Sequence, residues 1–166
     1  MLGQPLRFAL AAFVCVTSVA QAQEQLRPKL DIAIGEIRHV SLFRVPVTMR
    51  NTSNDDVFVP VCGESEGGTK KLCTLGVNID TRSHGHWVAA KEKSCNCNLL
   101  GGASLKTGIT LPAGETMEFE YFLPSDFFRF RSGEYLRLRI FVWPNAAAVN
   151  DKRTRMELTT PEFQFP

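Results

Sequence analysis

The dominant apolar period along this chain is two residues, and it recurs in short segments separated by turn signals. Phe43, Val45, Val47 and Met49 alternate with Arg44, Pro46, Thr48 and Arg50, the pattern of a strand with one face buried and one wet. Asn51 to Asp56 then reads as a turn, because Asn and Asp tolerate left-handed backbone and cap their own main chain. Val57 to Val61 follows as the return strand. Cys73, Leu75, Val77 and Ile79 alternate with Thr74, Gly76, Asn78 and Asp80, and His86 to Ala90 forms a shorter strand. Pro112-Ala113-Gly114-Glu115 carries Pro and Gly in the order of a type II turn. It leads into Met117, Phe119, Tyr121 and Leu123, interleaved with Glu118 and Glu120. Leu136, Leu138, Ile140 and Val142 alternate with Tyr135, Arg137, Arg139 and Phe141, and a last strand spans Glu162 to Phe165. Neither a three-turn amphipathic helix nor an internal repeat interrupts this rhythm. Many short strands without strand–helix alternation predict an all-β, antiparallel sandwich or barrel. Pro46 and Pro60 suit edges or bulges, since proline gives a ladder no N–H.

Four stretches carry a family resemblance: VPVTMRNTS at 45–53, LPAGET at 111–116, SGEYLRLR at 132–139 and LTTPEFQF at 158–165. They resemble the B, E, F and last strands of secreted bacterial immunoglobulin-like domains. The resemblance implies an immunoglobulin-like antiparallel β-sandwich of about seven to nine strands over residues 29–166. It places Tyr135 at the tyrosine-corner position. Residue 137 is Arg where antibody domains carry the second inter-sheet cysteine. What is implied is architecture, because this fold hosts unrelated functions.

The first residues change the picture by adding a compartment. Arg7 precedes an apolar run from Phe8 to Ala20, and Ala20-Gln21-Ala22 is an A-x-A cleavage signal. This is the pattern of a secretory signal peptide over 1–22, too short to span a bilayer. Residues 23–28 form a polar, flexible leader. No later stretch has the length of a membrane span, so the expected location is periplasmic or secreted. Lys+Arg 19 against Asp+Glu 17 gives a formal net charge of +2, which offers no global case for nucleic acid.

Export sets the cysteine chemistry. Cys15 leaves with the signal peptide. Cys62, Cys73, Cys95 and Cys97 remain, an even set for which two disulfides are the expected state. A Cys62–Cys73 bridge forces Cys95 and Cys97 to pair across one residue, a strained closure, so bridges from 62 and 73 to the 95–97 tip are preferred. The same region offers an alternative: His84-Gly85-His86 and Cys95-Asn96-Cys97 supply imidazole and thiolate ligands suited to zinc or copper. Otherwise no cofactor is expected.

Two further constellations matter. Gly63-Glu64-Ser65-Glu66-Gly67 matches the G-x-S-x-G string of an exported hydrolase. That motif needs a helix after the serine, and a glycine, a threonine and two lysines follow instead. The expectation is therefore a non-catalytic protein. If Leu136, Leu138, Ile140 and Val142 face the core, Tyr135, Arg137, Arg139, Phe141 and Trp143 share the opposite face. Arginine and aromatic side chains are enriched at interface hot spots, so this face is the candidate contact surface for a protein or carbohydrate partner. The competing expectation is a sheet face whose arginines pair with Glu157 or Glu162 on a neighbouring strand. Asn51-Thr52-Ser53 is a glycosylation sequon only in a eukaryotic host and is read as a turn.

Overall fold

The computed structural model describes residues 29–39, 42–65, 67–90, 107–123 and 130–166. Twelve strands are present among them: β1 (Leu30–Ile34), β2 (Arg38–His39), β3 (Phe43–Asn51), β4 (Val57–Glu64), β5 (Lys70–Leu72), β6 (Val77–Ser83), β7 (His86–Ala89), β8 (Gly108–Leu111), β9 (Thr116–Leu123), β10 (Tyr135–Val142), β11 (Met156–Thr159) and β12 (Phe163–Gln164). The helical pieces are two short 3-10 turns, Thr74–Gly76 and Ala146–Asn150. Among the described residues no helix is long and apolar enough to cross a membrane.

The strands form two sheets. The first runs β1-β3-β9-β5-β4-β8, with β2 continuing the β1 edge along β3; the second runs β11-β10-β6-β7, with β12 continuing the β11 edge along β10. The expected all-β, two-sheet class is therefore present. Strand number exceeds seven to nine partly because both edges are broken. Between β1 and β2 the N–H of Gly35 donates to Pro46 O at 3.0 Å. A strand residue's N–H and C=O point the same way, so proline's missing donor faces this break. Between β11 and β12, Thr160 bridges the gap: Leu138 N–H donates to its Oγ1 at 2.9 Å.

Two local expectations are corrected. Val57–Val61 is not a return strand beside β3, because β9 and β5 lie between β3 and β4. The long antiparallel register of β3 with β9, from Phe43↔Leu123 to Arg50↔Thr116, occupies that side. The run starting at Cys73 is not one strand: Thr74–Gly76 turns as a 3-10 helix and β6 begins at Val77, leaving Leu75 exposed. The 112–115 turn joins β8 to β9, which are not paired. Its predicted geometry is present, with Gly114 at φ 80° and Glu115 N–H donating to Pro112 O at 3.2 Å.

The inward faces meet in one core. Val45, Val47, Met49, Val57, Val59, Leu111, Phe119, Tyr121 and Leu123 come from the first sheet, and Ile79, Leu136, Leu138, Ile140 and Val142 from the second. Burial at every second position is what the two-residue rhythm requires. Asn51 fastens one end of the molecule. Its Nδ2 donates to Asp55 O at 2.8 Å and Leu111 O at 3.1 Å, and its Oδ1 accepts from Ser53 N–H and Oγ–H. The sequon asparagine is thus fully buried inside a turn.

Candidate functional site

The outer face of the second sheet is assembled by register. Arg137 lies opposite Asp80, and Arg139 opposite Asn78 on one side and Thr159 on the other. Directly opposed residues on antiparallel strands share a face, so Asp80 stands between two arginines. Arg137 donates from Nε to Asp80 Oδ2 at 3.1 Å, and Arg139 from Nε to Oδ1 at 3.0 Å. The NH2 of Arg137 adds a contact to Oδ2 at 3.0 Å. Asp80 is 3% exposed. A carboxylate so desolvated needs paired cations and satisfied lone pairs, and it has both. Arg139 also reaches Glu157 at 3.5 Å, and Arg82 reaches Glu162 at 3.4 Å.

Aromatic rings interleave with these cations. Arg137 Cζ lies 4.6 Å from the Trp87 ring centroid and Arg82 Cζ 5.9 Å from that of Tyr135. Such stacking holds a guanidinium in place while leaving its edge free to donate. Trp87 is half-buried and Tyr135 exposed.

The five residues named for the contact face do not all reach the surface together. Leu136, Leu138, Ile140 and Val142 do face the core, and Tyr135, Arg137 and Arg139 do share the outer face. Phe141 and Trp143, however, are 4% and 2% exposed. They pack with Phe58 and Val149 in a second small cluster, and Arg155 Cζ sits 4.2 Å from the Phe141 ring centroid. The cause is a bridge between sheets: Phe58 and Trp143 exchange backbone hydrogen bonds of 2.7 and 3.0 Å, and the 146–150 turn covers both rings. Tyr135 is no buried corner tyrosine, since it is 39% exposed. Asp80, Arg82 and Trp87 join the face although the sequence did not single them out. Asp80 was legible as an outward strand position, but only the β6–β10 register places it between the arginines.

The cysteines correct the preferred pairing. Cys62 and Cys73 are bonded to each other, with Cα atoms 5.0 Å apart. The β4–β5 pairing brings the two segments together: the cysteines flank the Val61↔Leu72 pair on either side, and the ladder shifts register just beyond Val61. Cys95 and Cys97 lie outside the described residues. His84 and His86 do not share an extended segment. His84, at φ 51°, and Gly85, at φ 82°, form the two-residue turn of the β6–β7 hairpin, and both histidines are exposed. Among the described residues no group of three metal-ligating side chains converges.

Ser65 sits in the turn between β4 and β5 with its N–H and Oγ–H both directed at Thr69 O, at 2.8 and 3.3 Å. The next element is strand β5, so the nucleophile elbow is not formed. No protein-family model and no curated protein matches the chain.

Proposed function

We propose that the protein is an exported, non-catalytic recognition or accessory module on an immunoglobulin-like sandwich. Its contact surface is the outer face of β6, β7 and β10. The observation that carries this is the Trp87–Arg137–Asp80–Arg139 cluster, in which hot-spot residue types are held rigid by a buried acid yet keep exposed edges. Preorganisation lowers the ordering cost of binding. The sheet order β1-β3-β9 parallels A-B-E, and β11/β12-β10-β6-β7 parallels G-F-C-C′. The intervening β4 and β5, with β5 parallel to β9, depart from that plan. The partner is a protein or a carbohydrate, met in a periplasm or outside the cell after cleavage behind Ala22.

The test is site-specific photocrosslinking in cells that export the chain. A photoactivatable phenylalanine analogue at Tyr135, an exposed position, should yield a discrete higher-mass adduct. The same analogue at Thr110, exposed on β8 of the other sheet, should not. No adduct at 135, or equal adducts at both positions, refutes the assignment.

One observation favours a second reading. The Cys62–Cys73 bond leaves Cys95 and Cys97 only each other, and a neighbouring pair of free thiolates with His84 and His86 would suit zinc or copper. Thiol titration of non-reduced protein with elemental analysis decides it: two free thiols with bound metal support this reading, no free thiol removes it.

A further inference from the structure

The two sheets treat their cations differently. On the second sheet Arg82, Arg137 and Arg139 each reach a carboxylate. On the outer face of the first sheet Arg38 and Arg44 stand directly opposite each other on β2 and β3. Like charges in that relation repel. Arg44 lies opposite Phe122 on β9, and Lys71 on β5 reaches the same ring from the other side. Arg44 Cζ is 5.3 Å and Lys71 Nζ 4.9 Å from its centroid. Among the described residues none of Arg38, Arg44 and Lys71 forms a salt bridge, and the buried Nε of Arg44 has no acceptor. Glu120, set beside Lys71 by the β5–β9 register, is an acid of this face, and its buried Oε2 has no hydrogen-bond partner among the described residues. It offsets one of the three cations.

We infer that this end of the first sheet is a binding site for a phosphate monoester, independent of the contact face on the second sheet. The two cations left without a carboxylate among the described residues match the charge of about −2 on such a group near neutral pH. Arg44 and Arg38 can present planar donor forks to its oxygens, while Lys71 supplies a point charge. The Phe122 ring holds Arg44 and Lys71 in position by cation–π contact and leaves an apolar floor for the organic part of the ligand. A monocarboxylate would leave one cation unmatched.

The test uses the exported, folded protein labelled with 15N and titrated with inorganic phosphate at constant ionic strength, with acetate as the control anion. Saturable shifts confined to β2, β3, β5 and β9 are expected with phosphate and not with acetate. Arg44→Gln and the exposed Arg38→Gln should each weaken the apparent affinity at least tenfold while the remaining spectrum stays folded. Equal response to acetate, shifts centred on the second sheet, or undiminished affinity in both variants overturns the site. Saturation by phosphatidylglycerol vesicles with none by inorganic phosphate also overturns it, in favour of a membrane surface.

Discussion

Replacing Asp80 should destabilise the protein more than replacing any exposed acid. Three contacts of 3.0–3.1 Å join its carboxylate to Arg137 and Arg139. Hydrogen bonds to charged groups are each worth roughly 1.5–3 kcal/mol, but their sum overstates the effect because burying the carboxylate itself is costly. Removing one partner from a fully buried pair typically costs about 3–5 kcal/mol, since the remaining charge is left uncompensated. The two guanidinium side chains retain 27% and 24% of their exposure, so water takes over part of the lost contact. Asp80→Ala is therefore expected to cost about 2–4 kcal/mol. Asp80→Asn, which keeps one acceptor oxygen but turns an amide donor toward the other arginine, should fall near the lower end. For a domain of this size that is a fall in Tm of roughly 5–15 °C. Urea unfolding followed by tryptophan fluorescence measures it directly. A cycle combining Asp80→Ala with Arg137→Ala should show coupling above about 1 kcal/mol. A loss below about 1 kcal/mol for Asp80→Ala, or additivity in the cycle, would show that the clamp contributes nothing.

Other expectations follow from single positions. Gly108→Ala should cost at least about 1–3 kcal/mol, because a Cβ there would lie 2.5 Å from both Val59 O and the Phe58 ring; a melting temperature equal to the parent would contradict the β4–β8 register. Asn51→Ala should cost roughly 2–3 kcal/mol by stranding the carbonyl of Leu111 and the donors of Ser53, and thermal denaturation reads it. Non-reduced peptide mapping should recover a peptide joining Cys62 to Cys73. Cys62→Ala with Cys73→Ala should lose about 3 kcal/mol of stability to guanidinium, the chain-entropy value for so short a loop.

Much of the fold was legible because burial of one sheet face imposes a period that shows directly in residues such as Val45, Val47 and Met49, or Leu136, Leu138 and Ile140. The weak spots share a cause. β5 and β8 have three and four residues, too few to show a period, and β1 was passed over with the polar leader before it. Which strand lies beside which depends on long-range pairing, so the separation of β3 from β4 left no local trace. The contact face shows the same limit: alternation assigned Phe141 and Trp143 correctly to the outer side of β10, yet outer does not mean exposed. The 146–150 turn and Phe58 cover them, and Asp80 and Trp87 arrive from strands whose register the sequence does not state. The cysteine pairing likewise followed the long-range meeting of β4 and β5, which flanks the Val61↔Leu72 pair with the two cysteines, and not the avoidance of a tight ring between Cys95 and Cys97.

On the proposed reading, the arginine–aromatic face of the second sheet meets a partner. The decisive variant is Trp87→Ala, expressed in cells in the chain carrying the photocrosslinker at Tyr135. Removing this half-buried ring forfeits a cation–π contact and part of its apolar burial, about 1–3 kcal/mol, which leaves the sandwich folded, while the adduct yield should fall at least tenfold. An undiminished adduct, or a fall no larger than the unfolded fraction explains, would rule out this face as the contact surface.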